Sequence, residues 1–191
     1  MLTQISDKLA VFFLQRDLIK ASHQRIIAYG LTLMISTILN IMLIVFLGFF
    51  LNRLSDALVF LVVFIVLRQF SGGYHASTYL KCCIVLCSSF GAVLLFRQIF
   101  SRQMEMMLVA LVLSLVTFLM FAPIGDINKP IRPEKQRVAK IKCLVVLFCI
   151  FGLAIILYAQ KSILCLSVSG TAFMTAILIL VKKIRSREEV K

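Results

Sequence analysis

Long apolar runs, separated by short polar segments, dominate the chain. Six of them have the composition of membrane-spanning helices: residues 27–50, 54–67, 79–96, 106–124, 143–159 and 162–181. A helix needs about 20 mainly apolar residues to cross a hydrocarbon layer of about 30 Å, and the run at 54–67 is short by this measure. The pattern predicts an all-α polytopic membrane protein. We expect one integral membrane domain over residues 1–191, with a six-span bundle at 26–181 and a basic cytoplasmic tail at 182–191.

The first 25 residues follow a different pattern. Apolar residues recur at helical spacing among charged ones, at Leu2, Ile5, Leu9 and Phe12. This pattern favours an amphipathic helix that lies in the membrane interface at residues 1–25. An ordinary helix packed on the bundle would show the same spacing.

Composition supports a lipid environment. Hydrophobic residues make up 61% of the chain, against about 45–50% in a typical soluble domain. The net charge of +13 would suggest nucleic acid in a soluble protein, but no motif supports that partner. In a membrane protein, Lys and Arg collect in cytoplasmic loops beside anionic headgroups. Membrane lipids are therefore the expected partners of this charge, and nucleic acid is not.

The distribution of basic residues predicts the orientation. With a cytoplasmic N-terminus, 17 of the 21 Lys and Arg residues fall on the cytoplasmic side, and both chain ends lie there. The four left outside are Arg53, Arg97, Arg102 and Lys161. The same orientation places the segment at 68–81 and the loop at 123–142 together on the cytoplasmic side.

One polar segment interrupts the apolar pattern, RQFSGGYHASTYLKCC at residues 68–83. Polar groups at membrane depth are costly, so a functional site is the first interpretation. His75 can act as the base that converts Cys82 to a nucleophilic thiolate, and Gly72 and Gly73 can offer backbone N–H groups to an oxyanion. A lone His at the interface or a lone Cys in a core is more often structural, and it is their joint occurrence that favours catalysis.

Spacing restricts the geometry of this pair. In a straight helix His75 and Cys82 would share a face but lie about 10.5 Å apart along the axis, which is too far for direct proton transfer. We therefore expect a break between Arg68 and Thr78, with His75 folded back over the first turns of the next helix. Cys83 is an alternative nucleophile that spacing does not exclude.

Other residues are assigned weaker roles. Arg68 is either a substrate contact or an interfacial anchor, and Gln69 and Ser71 are candidates to orient His75 or to line the oxyanion hole. None of the six cysteines has the spacing of a zinc site, so we expect no metal and no cofactor.

The motif resembles the signature of the accessory gene regulator B (AgrB) family. In that family an arginine lies seven residues before the catalytic histidine, a glycine two before it, and the catalytic cysteine seven after it. Those positions here are Arg68, Gly73, His75 and Cys82, which favours Cys82 over Cys83. The loop after the fourth run adds to the match through Pro123, Asn128, Lys129 and Pro130.

The resemblance implies a membrane cysteine endopeptidase of a Gram-positive cell membrane. Such a protein cleaves the C-terminal tail of a small amphipathic quorum-sensing pro-peptide through a thioester and promotes cyclisation to a thiolactone or lactone. A homodimer is expected from the family and the small size. The alternative, from another functional class, is a non-enzymatic peptide carrier or export protein.

An acidic substrate tail, which the resemblance also implies, would find a basic dock in the loop at 129–142. We expect that neutralising Lys129, Arg132 and Lys135 weakens processing without altering membrane insertion. The simpler interpretation of these charges is membrane topology.

Overall fold

The computed structural model describes residues 2–16, 23–71, 79–122 and 133–188. These residues contain seven α-helices and no strand. The helices are α1 (Leu2–Gln15), α2 (Gln24–Phe50), α3 (Leu54–Ser71), α4 (Tyr79–Ile99), α5 (Met106–Phe121), α6 (Pro133–Ala159) and α7 (Leu164–Glu188). The all-α prediction is confirmed over this part of the chain.

Five of the helices are long and apolar enough to cross a membrane: α2, α3, α4, α6 and α7. The sixth predicted span corresponds to α5, which is apolar but has only 16 residues, or about 24 Å of helix. The structure therefore supports a membrane protein with five candidate spans, and the count of six stays a prediction.

Two predicted boundaries are wrong. Helix α6 begins at Pro133, ten residues before the predicted start, so the second half of the predicted 123–142 loop is helical. Proline is favoured in the first turn of a helix, and the Glu, Lys, Gln and Ala residues that follow are good helix formers. Likewise α7 continues to Glu188, so most of the predicted tail at 182–191 extends the last helix. Hydropathy marks only the part of a helix that lipid covers.

The chain forms two compact units, Met1–Phe46 and Leu47–Lys191. The first contains α1 and most of α2, and the helix predicted near the N-terminus is present as α1. Within α2, the hydroxyls of Thr32 and Thr37 donate to the carbonyl oxygens of Ala28 and Leu33 at 2.9 and 2.8 Å. These bonds satisfy polar groups of an otherwise apolar helix inside the helix itself.

The second unit is built around α7, which contacts α3, α4, α5 and α6. Its buried face carries mainly small residues, which let neighbouring helices approach closely: Cys165, Ser167, Ser169, Gly170, Thr171, Ala172, Thr175 and Ala176. At Gly170, an added Cβ would lie 3.0 Å from the Phe96 ring of α4. The hydroxyls of Thr171 and Thr175 donate to carbonyls one turn earlier, at 2.6 and 2.8 Å. These two hydroxyls are thus satisfied inside α7, and the small residues around them let its neighbours pack closely.

Two tight turns lie at one end of this unit. Asn52, after α2, has a φ of 54°; its N–H donates to Phe49 O at 3.1 Å, and the N–H of Arg53 donates to Gly48 O at 2.7 Å. Lys161, after α6, has the same φ and the equivalent pair of bonds. This bonding is the Schellman pattern that ends a helix and reverses the chain. Both α2 and α6 therefore end in a cap of this type, directly before the next helix.

Gly48 makes the first turn possible. A Cβ added there would collide with the Cβ of Ala57 in α3. The backbone of Gly48 therefore packs directly against the first residues of α3. This close packing fixes the position of the turn that contains Arg53.

Candidate functional site

The candidate catalytic segment joins the end of α3 to the start of α4. The described residues on its two sides belong to separate helices, one ending at Ser71 and the other beginning at Tyr79. The predicted residues that lie outside the described part of the chain are Gly72, Gly73 and His75. A contact between the imidazole of His75 and the thiol of Cys82 thus stays a prediction. The structure describes α3, which precedes His75 in the chain, and α4, which contains Cys82.

An ion pair sets the register of these two helices. Arg97 Nη1 donates to Asp56 Oδ2 at 2.8 Å. Asp56 lies in the first turn of α3 and Arg97 in the last turn of α4, so the helices run antiparallel. Fifteen residues separate Asp56 from Ser71, and fifteen separate Cys82 from Arg97. At about 1.5 Å per residue, Ser71 and Cys82 both lie about 22 Å from the ion pair and thus at about the same depth.

Cys82 lies toward the buried face of α4. It precedes Leu86 by four residues and Phe90 by eight, and both of these are buried. Residues at this spacing share one face of a helix. The Cys82 side chain itself is half-buried, so it is directed toward the bundle and still accessible to a substrate.

Cys83, the alternative nucleophile, has a different neighbour. It is also half-buried, it is turned by about 100° from Cys82 around the helix, and its side chain interacts with that of Cys87 one turn later. Cys82 and Cys83 are adjacent and both half-buried, so Cys83 is a matched control for Cys82.

The three candidates in the last turns of α3 point in different directions. Ser71 is buried, Gln69 is exposed, and Arg68 is half-buried. The guanidinium carbon of Arg68 lies 5.6 Å from the centroid of the Phe64 ring, a cation–π contact. Ser71 is therefore better placed than Gln69 to face a site inside the bundle.

The predicted dock for a substrate tail is only partly described. Lys129 and Arg132 lie outside the described residues, and Lys135 belongs to the first turn of α6. The basic residues of the predicted loop thus continue onto a helix, but their contact with a substrate stays a prediction. Among the described residues, no three His, Cys, Asp or Glu side chains lie close enough together to hold a metal ion.

A buried charged cluster was not predicted from the sequence. Asp56 and Arg97 have side-chain exposures of 3% and 11%, and the hydroxyl of Ser167 in α7 donates to Asp56 Oδ1 at 2.6 Å. The cluster therefore joins α3, α4 and α7 through one carboxylate. The sequence signal for it was a charged residue close to one end of each of two apolar runs. Of these two residues, Arg97 was interpreted only as a sign of membrane orientation, and Asp56 was assigned no role.

Four basic residues lie together at one end of the second unit. Arg53, Arg97 and Leu164 line one cavity, Lys161 lies in the turn just before Leu164, and Arg102 lies in the short connection after α4. All four basic residues predicted to lie outside are thus at the end of the second unit opposite Cys82. The assignment of this end to the cell exterior stays a prediction.

Comparison with known proteins identifies the family. The model described as accessory gene regulator B matches residues 6–181. The chain belongs to the accessory gene regulator B family. The AgrB resemblance drawn from Arg68, His75 and Cys82 is thereby confirmed at the level of the family. Members of this family take part in the processing of quorum-sensing autoinducer peptides.

Relatives within the AgrB family are of moderate similarity. The chain is 32% identical over 151 residues to AgrB-like protein 2 of Clostridium perfringens strain 13, which covers 71% of this chain and 68% of the relative. An AgrB-like protein of Clostridium perfringens strain SM101 is 30% identical over the same length, with the same two shares. Protein FsrB of Enterococcus faecalis is 29% identical over 119 residues, 61% of this chain and 49% of FsrB. No solved structure matches the chain.

Proposed function

We propose that this AgrB family member is a membrane cysteine endopeptidase that removes the C-terminal tail of a small pro-peptide and cyclises the remainder. The observation that supports it most is the register of α3 and α4, because it holds Cys82 level with the end of the helix that leads into His75. Ser71, the last residue of α3, lies at about the same depth as Cys82 in α4, which supports His75 as the base for this thiol.

The first step is cleavage. His75 accepts the thiol proton of Cys82, and the thiolate attacks the carbonyl carbon of the scissile peptide bond. Backbone N–H groups at Gly72 and Gly73 are the proposed donors to the oxyanion. The tetrahedral intermediate then expels the tail as an amine, which takes the proton back from the imidazole. A thioester between Cys82 and the rest of the peptide remains.

The second step is cyclisation. His75 accepts the proton of an internal thiol or hydroxyl of the bound peptide, and this group attacks the thioester carbonyl. The sulfur of Cys82 then leaves and takes that proton from the imidazolium. Exchange of one thioester for another changes the free energy little, so the reaction depends on positioning the internal nucleophile. A pocket that excludes water would protect the thioester from hydrolysis, and we expect such a pocket beside Cys82.

The remaining residues have roles in holding the substrate. Ser71 is proposed to line the oxyanion site because it is the buried member of the α3 set, and Arg68 to bind a carbonyl or carboxylate of the peptide. Lys129, Arg132 and Lys135 are proposed to attract an acidic tail from the cytoplasmic side, where we also propose that both termini lie.

The test is processing of a co-expressed pro-peptide that has an internal Cys or Ser and an acidic tail. Wild type, His75→Ala, Cys82→Ala and Cys83→Ala are compared by mass spectrometry of the peptide and of the protein. Loss of a catalytic nucleophile or its base lowers cleavage by more than about a thousandfold. We expect this loss in the first two variants only.

The covalent intermediate provides a second measurement. A peptide adduct that hydroxylamine releases should form on wild type and on Cys83→Ala but not on Cys82→Ala. Cleavage that persists in Cys82→Ala, at equal membrane levels, would refute the peptidase mechanism and leave the peptide carrier as the better description. Cleavage lost only in Cys83→Ala would transfer the nucleophile's role to that residue.

A further inference from the structure

A polar cavity lies at the end of the second unit that is farthest from Cys82. Its volume is about 460 Å³, and it is open on one side. The polar residues that line it are Asn52, Arg53, Ser55, Asp56 and Arg97. Four of them belong to one continuous stretch, the turn after α2 with the start of α3, and Arg97 comes from the end of α4, so two separate chain segments supply the polar lining.

The cavity keeps one unbalanced positive charge. Asp56 offsets one of the two guanidinium groups, and each of its oxygens already accepts a hydrogen bond, one from Arg97 and one from Ser167. Arg97 Nε is buried, and no described residue accepts a hydrogen bond from it. The exposed Arg53 supplies the second cation. The guanidinium N–H groups of Arg53 and Arg97 that are left, with one uncompensated positive charge, thus suit one singly charged anion.

The backbone at Arg53 is rigid, although its side chain is exposed. Its N–H donates to Gly48 O at 2.7 Å, and its carbonyl accepts from the N–H of Ala57 at 3.0 Å. The guanidinium therefore extends from a fixed point at the cavity mouth.

The surroundings of the cavity are apolar. Phe49 and Leu54 line it, with exposures of 70% and 41%, and Ile99 at the end of α4 is 69% exposed. Large exposed apolar side chains in a membrane protein meet lipid tails, whereas guanidinium groups at the ends of the same helices meet headgroups. A ligand that fits both parts carries an anion and a hydrocarbon chain on one molecule.

We propose that this cavity binds the phosphodiester of an anionic phospholipid. Arg53 and the free edge of Arg97 hold the phosphate oxygens, Asn52 and Ser55 face the glycerol and headgroup hydroxyls, and the acyl chains lie on Phe49 and Leu54. A zwitterionic lipid is a poorer ligand, because its ammonium group would add a second positive charge next to Arg53. The site is independent of the proposed peptidase chemistry at the opposite end.

Native mass spectrometry of the full-length protein tests the site. The detergent-purified protein is incubated with equal amounts of phosphatidylglycerol and phosphatidylcholine, with and without excess inorganic phosphate. The variants are Arg53→Gln, Arg53→Lys and Arg102→Gln. Arg102 is the matched control, since it is an exposed arginine at the same end that does not line the cavity.

Wild type should retain phosphatidylglycerol in preference to phosphatidylcholine. Arg53→Gln should bind phosphatidylglycerol about fivefold more weakly, the factor for about 1 kcal/mol per basic residue at a membrane surface. Arg53→Lys and Arg102→Gln should bind it as wild type does, and inorganic phosphate should not displace it.

Three results would overturn the proposal. Equal retention of both lipids by wild type would remove the requirement for an anion. An equal loss in Arg102→Gln would show attraction by overall charge without a site. Displacement by inorganic phosphate would show a free-anion site to which the acyl chains contribute nothing. Helical content measured by circular dichroism checks the fold of each variant, and Arg53→Lys keeps the test valid if Arg53→Gln fails to fold.

Discussion

Removing Arg97 tests the contact on which the register of α3 and α4 depends. Arg97→Met deletes the cation but keeps an apolar side chain of similar length. Asp56, which is 3% exposed, would then lose its counter-ion and keep the hydrogen bond from the hydroxyl of Ser167. A buried carboxylate without its counter-ion is strongly disfavoured, so we expect a large loss of stability from this single change.

The magnitude follows from the burial and the distance. At an effective dielectric constant of about 20, unit charges about 4 Å apart attract each other by about 4 kcal/mol, although desolvation of both groups offsets much of that attraction. Removing one partner leaves the desolvation cost uncompensated, which typically costs about 3–5 kcal/mol. Replacing both, as in Asp56→Leu with Arg97→Met, should cost no more than about 1 kcal/mol, because apolar side chains fill the same space.

A double-mutant cycle measures this difference. The free energy of unfolding is determined for wild type, both single variants and the double variant by circular dichroism in mixed detergent micelles. We expect a coupling free energy of at least about 2 kcal/mol between the two positions. Single-variant losses that add up to the double-variant loss within about 0.5 kcal/mol would refute the ion pair as the link between the helices.

Two further predictions use pairs of variants and the same unfolding measurement. Ser167→Ala should lower the free energy of unfolding by about 1.5–3 kcal/mol, because the hydroxyl of Ser167 donates to a buried carboxylate. Ser114→Ala, whose hydroxyl donates within its own helix, should lower it by less than about 1 kcal/mol. Equal losses in the two variants would contradict this prediction. Gly48→Ala should cost about 1–3 kcal/mol because the added methyl group has no space. Gly152→Ala, which meets open space, should leave stability unchanged or raise it by up to about 1 kcal/mol, and an unchanged Gly48→Ala would show that the α2–α3 turn can shift.

Much of this protein is determined locally by its sequence. Whether a stretch of about 20 residues enters lipid depends on its own hydropathy, so the apolar runs predicted α2, α3, α4, α6 and α7 as candidate spans. The family signature in the polar segment at 68–83 is local in the same sense, and the family match confirmed the resemblance that it carries. Spacing along a helix likewise anticipated that α3 and α4 would be separate elements around His75.

Tertiary structure decided what hydropathy does not measure. The central position of α7 depends on the shape of its small-residue face. The pairing of Asp56 with Arg97 joins residues 41 positions apart, and no local pattern shows which helix ends meet. That pairing places Ser71 level with Cys82, and it leaves a cationic cavity at the opposite end of the second unit. The physical reason is that helix packing, and not separation along the sequence, decides which charged side chains share one buried space.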